Sequence, residues 1–287
     1  MEEAEIQTFI SKRRFKVGVI AKKYKIAGKY NVPIYDHRIV PYIAELAMER
    51  PKKRFDTIFL ITGQRRCGKS TLAFQIARCI DNNFDERKIA FRIEEFGEII
   101  QNNPECNPEI GVYPQVIMDE AGYDLLAQNW MERMQKELVK RFEVIGARRQ
   151  IIYLVLPHKQ LLNRSIRNGM IHYWINVSTF ENERGFAELR MAQENIWKLE
   201  TFWKPLCAFT FEPCDDDPIW KQYLVKKDAF IDSVMTDIED TSKTRELKKQ
   251  RAMLIKHILK TEKMSQKELA EKFDLPFNVV RYASIKE

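Results

Sequence analysis

The feature that most constrains the fold of this 287-residue chain is a glycine-rich loop, Gly63–Ser70, of the form G-x-x-x-x-G-K-[ST]. A short β-branched apolar run, Thr57–Thr62, precedes the loop, and apolar side chains at helical spacing follow it as far as Ile80. Strand, loop and helix therefore occur in the order that a phosphate-binding loop requires. The alternative is a glycine-rich turn without a chemical role.

Each residue type in the loop has a physical role in binding a nucleotide. Gly63 and Gly68 let the backbone approach a ligand, so that successive N–H groups point at phosphate oxygens. The helix that begins near Lys69 directs its positive end at the same place. Lys69 would reach the terminal phosphates of ATP, and the Ser70 hydroxyl would bind Mg²⁺. The residues expected to bind the nucleotide are Gly63, Gln64, Arg65, Arg66, Cys67, Gly68, Lys69, Ser70 and Thr71.

The cysteines indicate a reducing compartment. There are five, an odd number, and no two of them form a C-x-x-C pair. Cys67 lies in the loop between Arg66 and Lys69, where positive charge would lower the pKa of its thiol and make it reactive. Alternatively, Cys67 is a small residue that fills a variable loop position.

Composition indicates a globular protein, with 45% hydrophobic and 31% charged residues. The longest apolar runs, such as Ile151–Pro157, are much shorter than the roughly 20 residues of a membrane span. The first residues, MEEAEIQ, are not followed by an apolar secretory segment. We therefore expect no membrane span and a cytoplasmic location.

Charge is distributed unevenly along the chain. Residues 1–54 contain thirteen Lys and Arg against six Asp and Glu, and residues 241–287 contain twelve against six. Residues 55–240 contain 23 against 29, so a mildly acidic centre lies between two basic ends. This asymmetry favours a polyanionic partner for the ends, although a solvated basic face is the alternative.

The charge pattern and the turn residues predict four segments. Residues 1–54 form a basic arm that covers nucleic acid or a neighbouring subunit, and this segment ends with a helix from Val40 to Arg50. Residues 55–212 form the nucleotide-binding core, residues 213–240 a helical linker, and residues 241–287 a small helical domain.

Strand and helix patterns alternate through the core, which predicts a parallel sheet. After the loop helix we expect strands at Lys88–Ile93, Gln115–Met118, Gln150–Leu156 and Met170–Ser178, with Phe186–Met191 returning after a turn. Helices are expected at Glu94–Gln101, from about Asp124 to Arg148, and at Lys159–Asn168.

Two carboxylates, Asp119 and Glu120, follow the apolar run Val116–Met118. Ligands bind at the carboxyl edge of open parallel sheets, so both would meet a nucleotide held by the loop. Asp119 would bind Mg²⁺, directly or through water, and Glu120 would act as the general base that activates the attacking water. Their spacing from Lys69 suits a sheet in which one strand separates the loop strand from the acidic strand. The alternative is an exposed acidic pair at a helix N-terminus.

The motifs GQRRCGKST and VIMDEAG, with a fourth strand that ends in a polar residue, resemble the additional-strand catalytic-glutamate division of P-loop ATPases. That division includes RecA-like motors and AAA+ proteins. The run GARRQIIYLVLPHKQLLNRSIRNGMIHYWINV is similar to HerA/FtsK-type DNA translocases and viral DNA-packaging ATPases. The resemblance covers roughly residues 55–180. It implies an α/β fold with a RecA-like P-loop NTPase core around a central, mostly parallel sheet.

The resemblance also implies a ring, expected to be a hexamer, with ATP bound between subunits. Such rings complete the site with an arginine from the neighbouring subunit. Arg148 and Arg149 stand where the resemblance puts this arginine, with Arg164 and Arg167 as substitutes. Family members usually place Gln at the sensor position, whereas this chain has His158, which either contacts the γ-phosphate or is an ordinary loop residue.

The C-terminal segment resembles a helix-turn-helix or winged-helix unit. SQKELAEKFDLPFNVVRYASI predicts a helix at residues 266–273, a turn at Asp274–Pro276 and a second helix. A small all-α core would contain Leu269, Ala270, Leu275 and Val280. Asn278, Arg281 and Tyr282 would face DNA. A helical oligomerisation module is the alternative.

Together these features predict a Mg²⁺-dependent ATPase that moves duplex DNA. Genome packaging with a viral portal or capsid is the favoured setting, in the host cytoplasm or associated with the virion, and plasmid transfer by a conjugation apparatus or chromosome segregation are rivals. Two other classes stay open. One is an ATP-dependent DNA-binding regulator or switch, and the other is a morphogenesis or export assembly ATPase that does not translocate DNA.

Overall fold

The computed structural model describes residues 17–26, 30–119, 148–162, 164–180, 183–195, 200–262, 264–273, 275–277 and 280–281. The chain divides into two compact units, Met1–Lys226 and Lys227–Glu287. The described strands are β1 (Val19–Ile26), β2 (Tyr30–Tyr35), β3 (Thr57–Gly63), β4 (Ile89–Ala90), β5 (Gln115–Met118), β6 (Ile151–Leu156), β7 (Tyr173–Phe180), β8 (Glu183–Asn195) and β9 (Glu200–Thr210). The described helices are α1 (Val40–Lys52), α2 (Lys69–Ile80), α3 (Ile93–Asn102), α4 (Arg164–Gly169), α5 (Pro218–Thr261) and α6 (Gln266–Lys272).

The described strands form one mixed sheet in the order β1-β2-β9-β8-β7-β3-β6-β5-β4. Five adjacent strands, in the order β7-β3-β6-β5-β4, are parallel to one another. The β7–β8, β8–β9 and β1–β2 pairs are antiparallel. The prediction of an α/β fold with a mostly parallel sheet is confirmed. This arrangement is compatible with a RecA-like α/β core.

The central strands are buried on both faces, as expected for parallel strands covered by helices. On one face, Ile58, Ile152 and Val116 pack against α3 and α4 through Phe96, Ile100 and Ile166. On the other face, the Thr57 hydroxyl donates to the carbonyl of Ala47 in α1 (2.8 Å) and the Gln115 amide donates to the carbonyl of Ala77 in α2 (3.2 Å). These two buried polar side chains are thus satisfied by helix backbone.

Strand β6 lies between β3 and β5 and is paired in parallel with both. The expected strand between the loop strand and the acidic strand is therefore present. Because the three strands share one direction, their carboxyl ends meet at one edge of the sheet. There the amide of Gly63, at the end of β3, donates to the carbonyl of Pro157, just after β6 (3.2 Å).

The N-terminal residues that the sequence assigns to a basic arm contribute two strands to the sheet. β1 and β2 form an antiparallel hairpin, and β2 pairs in parallel with β9. Ile26, Val32 and Ile34 are buried against Phe186 and Ala208. Ile26 is therefore a core position of an edge hairpin, whereas Val19 and Ile20 at the start of β1 are exposed. Lysines on an outer strand disfavour pairing with another sheet.

Several elements differ in extent from the sequence prediction. The strand expected at Lys88–Ile93 contains only β4, because α3 already begins at Ile93 and the Glu95 carboxylate accepts the amide of Phe91 (2.9 Å). The helix expected at Lys159–Asn168 is a 3₁₀ turn, Lys159–Leu161, followed by α4, since the buried Leu162 is extended. The helix expected over about 124–148 falls almost entirely outside the described residues.

The C-terminal unit contains the predicted short helix. Ser265 caps α6 by accepting the amide of Glu268 (3.2 Å), and the Glu268 carboxylate accepts the amide of Ser265 (2.8 Å). The predicted small core is confirmed: Leu269, Ala270 and Val280 are buried with Ile255, and Leu275 packs against them. Arg281 is exposed, whereas Asn278 and Tyr282 lie outside the described residues.

Helix α5 runs through the polar stretch near residue 240 where the sequence suggests a boundary, and the two compact units divide at Lys226–Lys227. In the part of the chain that the structure describes, no helix combines the length and the apolar character needed to cross a bilayer.

Candidate nucleotide-phosphate site

The loop between β3 and α2 needs both of its glycines for packing within the protein. Gly63 has φ 150°, and a Cβ there would lie 2.0 Å from the carbonyl oxygen of Val177 in β7. Gly68 has φ 98°, and its Cβ would lie 3.0 Å from the ring of Phe211. Any larger residue would push the loop away from β7 or from Phe211, so the glycines set the position of the loop as well as its backbone conformation.

Helix α2 begins at Lys69, directly after the left-handed Gly68. Its first amides point toward the loop, as expected at a helix N-terminus that binds an anion. The Lys69 ammonium donates to the carbonyl of Gln64 (2.7 Å), so it lies across the loop. To contact a bound phosphate it would exchange this neutral acceptor for a charged one, which forms the stronger hydrogen bond.

Cys67 is not the activated thiol that its cationic neighbours suggest. Its side chain is 2% exposed, and its thiol donates to the same Gln64 carbonyl (2.9 Å). Burial raises the pKa of the Cys67 thiol and outweighs the opposing effect of Lys69. These observations favour the alternative given by the sequence, in which Cys67 is a small residue that fills a loop position, because burial decides the sign of the pKa shift.

The other loop residues differ in exposure. Gln64, Arg65 and Arg66 are exposed, and Arg66 has a left-handed backbone with φ 62°. Ser70 and Thr71 are half-buried in the first turn of α2. The two exposed arginines add positive charge at the mouth of the loop, where a polyphosphate would enter.

Asp119 follows β5 and is 1% exposed. Its amide donates to the carbonyl of Ala90 in β4 (2.8 Å), which fixes its backbone. The Ser70 hydroxyl donates to Asp119 Oδ1 (2.9 Å), so the predicted pair of Mg²⁺ ligands is brought together from positions 49 residues apart. The Tyr223 hydroxyl donates to Asp119 Oδ2 (2.5 Å).

Two predicted residues lie elsewhere. Arg148 and Arg149 precede β6, at the edge of the sheet opposite the loop. The Arg148 guanidinium donates to the carbonyls of Ile100 (3.1 Å) and Gln101 (2.8 Å), where it stabilises the C-terminal end of α3. The structure does not bring these arginines to the loop of their own chain, and a role in a neighbouring subunit stays a prediction.

His158 follows β6 at the same edge as the loop and is exposed. The hydrogen bond from Gly63 to Pro157 joins the loop to the residue before it. His158, the predicted sensor, therefore lies at the same edge of the sheet as the loop. Glu120, the predicted general base, lies outside the described residues, and the substitute arginines Arg164 and Arg167 are on α4.

The donor set suits Mg²⁺ held together with phosphate oxygens. Magnesium is usually bound by one or two protein oxygens, with substrate phosphates and waters completing its octahedron. A hydroxyl and a carboxylate 2.9 Å apart, beside a helix N-terminus, provide such a pair. Within the described ranges, no group of three or more His, Cys, Asp or Glu is arranged to hold a metal ion without phosphate.

A cavity of about 650 Å³ lies beside α2 in the first unit. Sequence reasoning did not anticipate it. Its lining residues are His37, Arg38, Val40, Pro41, Tyr42, Phe74, Gln75, Arg78, Cys79, Glu212, Cys214 and Asp217. They come from three distant segments, so only the fold brings them together.

Tyr223 is the functional candidate that sequence reasoning missed. A usable signal was present in Asp217-Pro218, since Asp is a favoured N-cap and Pro a favoured first helical residue. The Asp217 carboxylate accepts the amides of Ile219 (2.8 Å) and Trp220 (3.2 Å). A helix that starts at this point places Trp220 and Tyr223 on one face, because they are three residues apart. Two aromatic residues on one helix face indicate a surface that packs against the rest of the protein.

In comparisons with known proteins, no family model matches this chain and no curated protein matches it.

Proposed function

We propose that this chain is a Mg²⁺-dependent ATPase with a RecA-like core. The observation that carries the proposal is the contact between Ser70 and Asp119 at the carboxyl edge of the sheet, beside the glycine-rich loop and the N-terminus of α2. A hydroxyl, a buried carboxylate and convergent amides are the groups that phosphoryl transfer requires. When bound, Mg²⁺ would supply positive charge that offsets the charge developing on the transferred phosphoryl group.

In the reaction, water attacks the γ-phosphorus of ATP and the bond to the β–γ bridging oxygen breaks. ADP leaves with the electron pair, and Glu120 takes the proton from the attacking water. Lys69 and the loop amides would hold the phosphates, Ser70 and Asp119 would hold the metal, and His158 would contact the γ-phosphate or the water. An arginine from a neighbouring subunit, Arg148 or Arg149, completes the site.

The cavity beside α2 suits the nucleoside half of the substrate. Thr71, Gln75 and Cys79 repeat every four residues and so lie on one face of α2, and the last two line the cavity. The Phe211 ring lies where a side chain at position 68 would meet it, and the next residue, Glu212, lines the cavity as well. The cavity thus begins about one turn beyond the loop on the side of Thr71, and its volume is typical of small-molecule sites.

The larger role proposed for this ATPase is that of a DNA motor. Both ends of the sequence are basic, the described edge hairpin β1–β2 carries lysines, and the C-terminal unit contains a capped helix over a small core. Basic surfaces of this kind bind the phosphate backbone of duplex DNA without sequence preference. We propose a ring of subunits, expected to be a hexamer, that hydrolyses ATP to move DNA, with viral genome packaging as the favoured setting.

The decisive experiment measures steady-state ATP hydrolysis with and without duplex DNA across a salt series. A DNA motor is expected to show strong stimulation that falls steeply as salt rises. Slow hydrolysis without stimulation would instead indicate a regulator that binds DNA. Absence of DNA binding would indicate an assembly ATPase, and absence of ATP binding by calorimetry would remove the proposal.

Two variants assign roles within the proposal. Glu120→Gln is expected to bind ATP normally but to abolish turnover, and undiminished turnover would refute the assignment of the base. Deleting residues 241–287 is expected to weaken DNA binding while leaving basal hydrolysis intact. Unchanged DNA affinity would restrict that segment to a packing role.

Filling the cavity tests the nucleoside site. Cys79→Phe is expected to raise KM for ATP about tenfold with little change in kcat, because it removes binding that is equal in the ground and transition states. Cys106→Phe is the matched control, since Cys106 does not line the cavity. Equal KM values for the two variants would place the nucleoside elsewhere.

A further inference from the structure

We infer that Tyr223 is a positioning residue that orients the Asp119 carboxylate for metal-dependent nucleotide binding. The inference rests on the proposed function, because it concerns the same site. Tyr223 and Asp119 are each 1% exposed and lie 104 residues apart in the sequence. Tyr223 is not part of any motif identified in the sequence.

Because the hydroxyl of Tyr223 is present, the two oxygens of the Asp119 carboxylate accept hydrogen bonds from different residues. The Tyr223 hydroxyl donates to Oδ2 (2.5 Å), while the Ser70 hydroxyl donates to Oδ1 (2.9 Å). The amide of Asp119 donates to Ala90 and fixes the backbone, so both ends of the residue are held. Without the Tyr223 donor, rotation about the terminal side-chain bond would be easier, since torsions of this type have broad energy minima.

The ring of Tyr223 is itself fixed by aromatic neighbours. The Trp220 ring stacks on it at a centroid distance of 4.5 Å, and the Phe91 ring lies 6.0 Å away on a neighbouring segment. Trp220 in turn packs against Phe74 in α2 (5.2 Å). The hydroxyl is therefore held by packing rather than by a flexible side chain, which is the condition for a positioning role.

The next turn of α5 is anchored as well. Lys226 donates to the Glu95 carboxylate in α3 (2.5 Å), to the carbonyl of Ile89 in β4 (2.5 Å) and to the carbonyl of Glu86 (3.2 Å). Trp220, Tyr223 and Lys226 are three residues apart and share one face of the helix. The first turns of α5 are thus attached to the sheet edge that carries Asp119, with Tyr223 at the centre of the contact.

The test measures how much Mg²⁺ tightens nucleotide binding, by calorimetry with a nonhydrolysable ATP analogue in Mg²⁺ and in EDTA. Tyr223→Phe keeps the ring and removes the donor. The Mg²⁺-dependent gain is the ratio of the affinity in Mg²⁺ to the affinity in EDTA. In Tyr223→Phe this gain is expected to be about tenfold smaller than in wild type, a typical effect of losing a hydrogen bond to a charged group. Affinity in EDTA should stay within about twofold of wild type.

The matched control is Tyr153→Phe, because the buried Tyr153 hydroxyl donates to Gln115 Oε1 (3.0 Å) and not to Asp119. It should keep the full Mg²⁺-dependent gain within about twofold. In an Asp119→Asn background, Tyr223→Phe should have no further effect on that gain, since the two residues act through one contact. A further loss in that background would overturn the inference.

If Tyr223→Phe does not fold, the same comparison is made with p-aminophenylalanine and p-fluorophenylalanine at position 223. Both fill the space of the hydroxyl, but only the amine donates a hydrogen bond, so only it should retain the gain. Equal gains for donor and non-donor would overturn the inference and leave the ATPase proposal standing. Absence of nucleotide binding by the wild type would remove both.

Discussion

The sheet has a parallel half, β3 to β7, and an antiparallel half, β1, β2, β8 and β9. Each half contains a buried carboxylate, and the two carboxylates differ in the groups that donate hydrogen bonds to them. Asp119, in the parallel half, accepts hydrogen bonds from the hydroxyls of Ser70 and Tyr223. Glu188, in the antiparallel half, is 8% exposed and accepts from the Tyr24 hydroxyl (3.3 Å) and the Arg190 guanidinium (2.7 Å). A hydroxyl orients a carboxylate without neutralising it, whereas a guanidinium does both. The first arrangement suits a metal ligand, and the second suits a structural contact.

The largest expected effect comes from Asp119→Asn. Turnover should fall about a thousandfold, equivalent to about 4 kcal/mol of transition-state stabilisation, because an amide is a poor magnesium ligand. The free energy of unfolding should change by less than about 1 kcal/mol, since the amide oxygen still accepts one hydroxyl and the amide NH2 group donates to the oxygen of the other. Steady-state kinetics and denaturant unfolding measure the two quantities. Retained turnover would contradict the assignment of Asp119 as a metal ligand.

Glu188→Gln should show the opposite pattern. Removing the charge leaves the Arg190 guanidinium partly buried beside a neutral amide, and the free energy of unfolding should fall by about 3 kcal/mol. Turnover per folded molecule should stay within about twofold of wild type. Equilibrium unfolding, with hydrolysis measured at a temperature where the variant is folded, checks both values. A variant with normal stability but impaired hydrolysis would contradict the assignment.

A smaller effect is expected at the junction of the two halves, where His172 stands before β7. His172 Nδ1 accepts the amide of Ile58 (3.0 Å), and its carbonyl accepts the amide of Ala192 in β8 (2.9 Å). Burial, with a further contribution from Arg50, lowers the pKa of His172 to about 3.

The lowered pKa of His172 gives a definite sign to the pH dependence. Its contribution to stability is present above about pH 6.5, where the unfolded imidazole is neutral, and is lost as pH falls toward 3. Between pH 6.5 and pH 5 the free energy of unfolding should fall by about 2 kcal/mol more in wild type than in His172→Asn, whose Oδ1 replaces Nδ1 as acceptor. Parallel pH profiles for the two proteins would show that His172 is not the group responsible.

The smallest effect is expected at Cys67. Because its thiol is buried and its pKa is raised, Cys67→Ala should leave kcat and KM for ATP within about twofold of wild type. Alkylation should also proceed more slowly at Cys67 than at the exposed Cys79, as mass spectrometry of labelled peptides would show. A tenfold loss of turnover in Cys67→Ala would show that the Cys67 side chain contributes to hydrolysis.

Much of the parallel half was predictable because its signals are local. The loop, the apolar run before Asp119 and the strand at Ile151–Leu156 each show in a few neighbouring residues. In the C-terminal unit, α6 is likewise indicated by Ser265 and Glu268. The antiparallel half was less predictable. The N-terminal hairpin was read as an arm because its alternating Lys and apolar residues have the same pattern in a free arm and in an edge strand.

The amino-acid sequence by itself determined the glycine-rich loop, the acidic residues that follow β5, and the alternation of strands and helices, since these depend on backbone freedom and on periodicities a few residues long. Only the tertiary structure decided that Gly63 faces Val177, that Arg148 stabilises the end of α3, and that Tyr223 donates to Asp119. Contacts between residues 48 to 114 positions apart depend on which surfaces are buried together. That choice is made by the whole chain as it folds, and no local pattern of residue types encodes it.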